Sequence, residues 1–279
     1  MNQRPEEHES ASSIESLLPI DEHIEEGHDS EGRKVRHKGV YLLPNLFTTA
    51  NLFAGFYSII CAVGGNFYIA AATIFVAMVL DGLDGRVARM TNTQSAFGAE
   101  YDSLSDMVAF GLAPAILAYQ WALSELGNVG LTVAFIYVAC AALRLARFNT
   151  QIGVVDKRWF IGLASPAAAG VVAGMVWAVW ALTDEGIGGA DLPFVVTILF
   201  AVLVALAGLL MVSNIKYYSF KDLDLKGRVP FVAILVVVLV FAVVFSDPPR
   251  ILLLMFLAYA ASGPVQYVLH LRKGQEAEK

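Results

Sequence analysis

Runs of about twenty predominantly apolar residues, the length an α-helix needs to cross a bilayer, recur along most of this chain. Four aspartates, Asp81, Asp84, Asp102 and Asp106, stand inside or beside two of those runs. The runs predict an all-α polytopic membrane helix bundle of about eight transmembrane helices, at roughly 43–64, 67–90, 100–122, 128–148, 161–182, 192–213, 229–246 and 249–271. The overall balance agrees: 57% of the residues are hydrophobic, 16% are charged, and the mean hydropathy is +0.62. Each intramembrane carboxylate costs several kcal/mol, on the order of 3 kcal/mol, unless it is paired or bound to a cation, so the four aspartates ask for a function.

The net charge of −6 does not describe the membrane part, because ten of the 25 acidic residues lie in residues 1–31. Residues 1–40 read as an acidic, disordered, solvated tail. Ile14 to Leu18 with Ile20 offer a short amphipathic helix as the alternative. No basic segment precedes an apolar core there, so the tail does not resemble a cleaved signal peptide. Residues 41–273 form one membrane domain, followed by a short C-terminal tail, 274–279. Arg33, Lys34, Arg36 and Lys38 precede the first span. Arg144, Arg147, Lys157 and Arg158 lie between the fourth and fifth; Lys216, Lys221, Lys226 and Arg228 between the sixth and seventh; Arg272, Lys273 and Lys279 after the eighth. The opposite connections carry Glu125, Asp184, Glu185, Asp191 and Asp247 against the single Arg250. Both termini and the Asp81–Asp106 segment are therefore expected on the cytoplasmic side of a cell membrane.

Cys61 and Cys140 sit in apolar spans and behave as small hydrophobes, giving neither a disulfide framework nor a thiolate site. Four of the five histidines are in the N-terminal tail and the fifth is His270, so no imidazole is expected near the aspartates. On helices, Asp81 and Asp84 share a face, as do Asp102 and Asp106. The short link from Met90 to Phe97 makes their two helices antiparallel neighbours. Gly85, Ala88 and Gly98 keep the faces slim enough for a second helix or a ligand to approach. The expected site is a four-carboxylate cup open to the cytoplasm with Arg89 at its rim.

Oxygen donors without His or Cys suit Mg²⁺ or Mn²⁺, and a pair of divalent ions would stabilise charge on a transferring phosphoryl group, with arginine as an auxiliary clamp. Asp106, at the edge, is the candidate catalytic base for a hydroxyl nucleophile. Two other readings stand beside this one. Arg86 and Arg89 as ion-pair partners would neutralise only two of the four acids. An ion-coupled transporter would place its acids near the bilayer midplane on broken helices, whereas these cluster at helix ends.

The spacing Asp81-x2-Asp84-Gly85-x2-Ala88-Arg89-x8-Gly98-x3-Asp102-x3-Asp106 resembles, without departure, the signature of the CDP-alcohol phosphotransferases. That resemblance implies a membrane enzyme that moves a phosphatidyl or phosphoalcohol group from a CDP-activated donor to an alcohol and releases CMP. It further implies that Asp81, Asp84 and Asp102 bind two divalent metals, that Asp106 touches one metal and serves as general base, and that the chain forms a homodimer. No nucleic-acid partner is expected.

Four further segments, Leu43–Gly55, Arg144–Asn149, Gly162–Ala169 and Met211–Lys221, resemble the integral-membrane phosphatidylserine synthases of that family, with Ala164 and Tyr218 where a proline would be expected in many relatives. This implies CDP-diacylglycerol and L-serine as substrates; glycerol 3-phosphate, choline and inositol are the competing acceptors. Arg144 and Arg147, with Asn149, are candidates to meet the acceptor's carboxylate, although basic residues at a cytoplasmic helix end also satisfy topology alone. Asn45, Thr48 and Asn51 recur on one face of the first span, where they either bind the nucleotide and diphosphate or cap and join helices. The family resemblance favours ligand binding, and Ser95 is a weaker candidate for the same nucleotide site.

Overall fold

The computed structural model describes residues 27–28, 34–35, 42–90, 96–150, 159–182, 191–218 and 231–277. Residues 1–41 form a unit of their own, in which β1 (Gly27–His28) pairs antiparallel with β2 (Lys34–Val35). The candidate helix at Ile14–Ile20 and most of the expected acidic tail lie outside the described residues.

Among the described residues of the second unit are eight long helical segments, α1 (Leu42–Val63), α2 (Phe67–Met90), α3 (96–121), α4 (Asn128–Thr150), α5 (Ser165–Trp180), α6 (Phe194–Val212), α7 (Phe231–Ser246) and α8 (Pro248–Ala277), and a short 3-10 turn, Leu123–Leu126, after α3. Each long segment coincides with one expected span. Five contain a segment long and apolar enough to cross a membrane unaided: Asn45–Val63, Phe67–Val87, Asn128–Thr150, Phe194–Val212 and Pro248–Leu269. The other three depart from a plain span for visible reasons. In α3 an α-helix (Ala96–Asp106) passes through a π-helical stretch (Met107–Leu112) before resuming as Ala113–Trp121. α5 starts at Ser165, later than the expected 161, because β3 (Trp159–Ile161) pairs antiparallel with β4 (Lys216–Tyr218). α7 is 16 residues long. α8, in turn, continues past the expected end at 271 into the short tail.

Small residues decide how closely the helices pack. A side-chain carbon at Gly55 of α1 would come within 2.7 Å of the Ala109 Cα, so α1 lies directly against the π stretch of α3. Around this contact Ala54, Ala70, Ala71, Ala77, Ala109 and Ala113 are buried, and α2 packs along α1 through the tight turn at Gly64–Asn66. Large apolar side chains such as Phe53, Phe135, Leu199 and Phe245 point outward, as expected where the surrounding solvent is lipid. The π stretch disturbs the regular carbonyl ladder, and the fully buried Tyr137 of α4 donates its hydroxyl to the Phe110 carbonyl at 3.1 Å.

A second backbone group is satisfied in the same way at α8. Pro264 has no N–H to give to the carbonyl four residues back, that of Ala260. The Tyr217 hydroxyl of β4 donates to that carbonyl at 3.1 Å, and the missing side chain of Gly263 makes room for the Tyr217 ring. Burial pushes the Tyr217 hydroxyl up to about 12, so it remains a donor throughout the physiological range. The β3–β4 pair and α8 are thereby tied together, with Gly162 at φ +81° making the turn after β3 against the Met211 carbonyl.

Candidate active site

Asp81 and Asp84 come from the last turns of α2, and Asp102 and Asp106 from the first helical part of α3. Facing across the two helices, Asp81 pairs with Asp106 and Asp84 with Asp102. Oxygens of Asp81, Asp102 and Asp106 lie within 4.8 Å of one another, a spacing that suits a shared cation. Asp84 stands slightly apart and buried, its Oδ2 accepting the Thr48 hydroxyl at 2.6 Å. The expected cup of four is thus a group of three with a fourth carboxylate anchored beside it.

The donor set fits hard divalent ions. It consists of carboxylate oxygens only, and Asp102 Oδ1 is buried with no hydrogen-bond partner, a costly arrangement for an anion with nothing to meet it. Among the described residues no lysine or arginine is close enough to form an ion pair with the four acids, and Arg86 is exposed. Space remains over α2 as well: a side-chain carbon built at Gly82 or Gly85 would meet no atom within 4 Å. The small residues at 55 and 85 therefore act differently, one seating a helix and the other leaving an opening.

α1 supplies the polar wall. Thr48, Asn51 and Gly55 recur on one face, and the Gly55–Ala109 contact brings that face onto α3. Asn51 donates through Nδ2 to Asp106 Oδ1 at 3.3 Å, while its own Oδ1 is buried without a partner. The buried Ser105 hydroxyl donates to the Thr48 carbonyl at 3.0 Å and fixes the register between the helices. Asn45 is half-exposed at the start of α1, where its carbonyl accepts the Thr49 hydroxyl at 2.7 Å. Thr49 is also 2.9 Å from the Tyr101 hydroxyl, a second link from α1 to α3. Ser95 lies outside the described residues, as do the side chains of Ala88 and Arg89.

The two arginines of α4 separate. Arg144 turns inward, its Nη1 donating to the fully buried Ser165 hydroxyl at 2.7 Å, with its Nε buried and unpartnered. Asp106, Asp81, Tyr137 and Tyr259 all lie within its electrostatic reach. Arg147 turns instead to the end of α6, donating to Asn214 Oδ1 at 2.8 Å. Asn149 donates to Ser103 at 3.0 Å, next in sequence to Asp102, and so links the end of α4 to the carboxylate helix. Nothing local in the sequence singles out Ser165 or Tyr259: Ser165 lies inside a segment marked only by its family likeness, and an aromatic in an apolar span carries no local signal.

Acids on one wall, a half-buried cation on the other and polar donors between them can hold a divalent ion, accept a proton and bind an anionic group. Comparison with known proteins bears on that chemistry. Residues 41–212 match the CDP-alcohol phosphatidyltransferase family. A CDP-diacylglycerol–serine O-phosphatidyltransferase of Helicobacter pylori is 38% identical over 234 residues, covering 82% of this chain and 92% of that protein. A protein of the same name from Methanocaldococcus jannaschii is 37% identical over 195 residues, 70% of this chain and 82% of its own. One from Bacillus subtilis is 35% identical over 179 residues, 64% and 91% respectively. With its carboxylate group set at the junction of α2 and α3 inside the matched region, this chain belongs to the CDP-alcohol phosphatidyltransferase family.

Proposed function

We propose that this protein is a phosphatidylserine synthase, transferring the phosphatidyl group of CDP-diacylglycerol to the hydroxyl of L-serine with release of CMP. One observation carries the choice of acceptor: the half-buried Arg144 of α4, within electrostatic reach of Asp81 and Asp106 and with an unpartnered Nε, suits an acceptor that brings its own carboxylate. The names of the relatives support the same reading.

In this reading the serine oxygen attacks the phosphorus bonded to the diacylglycerol oxygen. Asp106 takes the hydroxyl proton, oriented by Asn51, as the phosphorus–oxygen bond to CMP breaks. Asp81, Asp84, Asp102 and Asp106 would hold two divalent ions, Mg²⁺ or Mn²⁺, which when bound supply Lewis-acid stabilisation of the charge on the transferring group. Thr48 fixes Asp84, and the opening over Gly85 admits the diphosphate. Arg89 is assigned the departing CMP, Asn45 and Ser95 the nucleotide, and Arg147 and Asn149 the border of the acceptor site.

The decisive experiment offers the purified protein CDP-diacylglycerol with labelled serine, glycerol 3-phosphate, choline and inositol in turn. Phosphatidylserine and stoichiometric CMP are expected; a different lipid product reassigns the acceptor, and substrate flux across sealed vesicles without CMP release points to a carrier. The charge bias supports a cytoplasmic position for both termini and the site. Cysteines introduced at Ser30, Lys157 and Asp222 should then resist an impermeant thiol reagent in intact cells while one at Glu185 reacts, and the reverse pattern would invert the topology. Association into a homodimer is part of the same proposal, and crosslinking in native membranes tests it.

A further inference from the structure

The family match covers residues 41–212, yet α8, which begins at Pro248, packs against α5 and β4 of that same bundle. Its register against α5 is fixed by two glycines. A side-chain carbon at Gly174 would lie 3.2 Å from the Leu253 Cα, and one at Gly170 would lie 2.7 Å from the Phe256 ring. The helices therefore run antiparallel in close contact, each step of three residues along α8 matching about four along α5, near the 1.5 Å rise per residue both share. One further step from Phe256 reaches Tyr259 and Ala260, opposite the first turn of α5, where Ser165 holds Arg144.

Three contacts fix Tyr259 at that level. Two of them are packing contacts, the hydroxyl donating to the Tyr218 carbonyl at 3.3 Å and the ring lying on Tyr217 with centroids 5.6 Å apart, and the third is a longer-range electrostatic interaction with Arg144. Tyr217 in turn is locked to α8 by its bond to the Ala260 carbonyl that Pro264 leaves open. Tyr259 and Arg144 interact electrostatically, the negative end of the phenol dipole favouring the guanidinium.

We infer that Tyr259 of α8 is a positioning residue for Arg144, and that α4, α5 and α8 together, through Arg144, Ser165 and Tyr259, form the subsite that selects a carboxylate-bearing acceptor. This rests on serine being the acceptor. Ser165 holds one face of the guanidinium, and Tyr259 limits its swing toward Asp81 and Asp106, where a guanidinium would neutralise the acids that the reaction needs. The remaining Nε–H is kept for the acceptor carboxylate. The last helix is thus part of the specificity of the site.

The test is steady-state kinetics on full-length protein in detergent micelles. Tyr259→Phe should raise the KM for serine roughly tenfold, as the guanidinium loses a polar neighbour, with the KM for CDP-diacylglycerol and the metal dependence unchanged. Tyr217→Phe, which keeps the ring that Tyr259 packs on and removes only the bond to the Ala260 carbonyl, should lower the thermal midpoint and raise the serine KM by clearly less than Tyr259→Phe does. An unchanged serine KM in Tyr259→Phe, or an equal rise in Tyr217→Phe, overturns the role of Tyr259. A third readout needs no loss of side chain: 3-fluorotyrosine placed at position 259 should give a ¹⁹F resonance that shifts on adding L-serine and not on adding ethanolamine, and a resonance indifferent to serine overturns the inference even if Tyr259→Phe does not fold. Wild-type protein that makes no phosphatidylserine would refute the proposed function itself, whereas active wild type with an unaffected variant refutes only the part given to Tyr259.

Discussion

The two walls of the site are built by different means. The acidic wall is made by α1, α2 and α3, neighbours in sequence joined by short links, and its four carboxylates fall within residues 81–106. The basic wall is assembled from α4, α5 and α8, with Arg144, Ser165 and Tyr259 spread over more than a hundred residues. On the acidic wall, local helix periodicity places the ligands, and small residues let the helices close on them. On the basic wall nothing local places Tyr259 near Arg144; the register comes from Gly170 and Gly174 against Phe256 and Leu253. Chemistry common to a family can be encoded in one compact segment, while the proposed acceptor subsite is assembled by long-range packing.

That contrast is sharpest in the size of the effects it predicts. Asp81→Asn, Asp102→Asn and Asp106→Asn should each reduce turnover by about a thousandfold or more, with metal dependence weakened in the first two and CDP-diacylglycerol binding largely retained in the third. A chelator should abolish activity in wild type. Turnover in metal-free buffer, or a near-normal rate in any of these variants, would break the assignment of the acidic wall.

Next in size is the test of how that wall is held. Gly55→Ala should cost about 1–3 kcal/mol, because the added carbon meets the α3 backbone at Ala109 and the helices must part. Gly85→Ala meets nothing and should change stability by less than about 0.5 kcal/mol, yet raise the KM for CDP-diacylglycerol if the diphosphate occupies that opening. Thermal unfolding and donor kinetics on the two variants check this, and equal loss of stability in both would remove the distinction between a seated helix and an open cradle.

On the basic wall the expected effect is confined to the affinity for one substrate. Ser165→Ala removes the acceptor of the 2.7 Å bond from Arg144 and should cost about 1–3 kcal/mol of the guanidinium's positioning, read as a rise in the KM for serine with the donor KM unchanged. An effect on kcat alone would move Ser165 from acceptor recognition to the chemical step.

The sequence determined the helical class, the eight segments to within a few residues and the four aspartates, because apolar run length, helical periodicity and intramembrane charge are local properties. It also brought Thr48 and Asn51 forward by their spacing, without deciding between ligand binding and helix joining; the hydrogen bonds to Asp84 and Asp106 give each a structural partner. Only the tertiary structure separated Arg144 from Arg147, three residues apart and equally basic, by turning one to Ser165 and the other to Asn214. Only the tertiary structure, too, put a π stretch after Asp106 and drew α8 onto α5. These outcomes depend on which backbones can approach and which orphaned carbonyls find a donor, as Phe110 does in Tyr137 and Ala260 in Tyr217, and such partners lie too far along the chain for any periodicity to connect them.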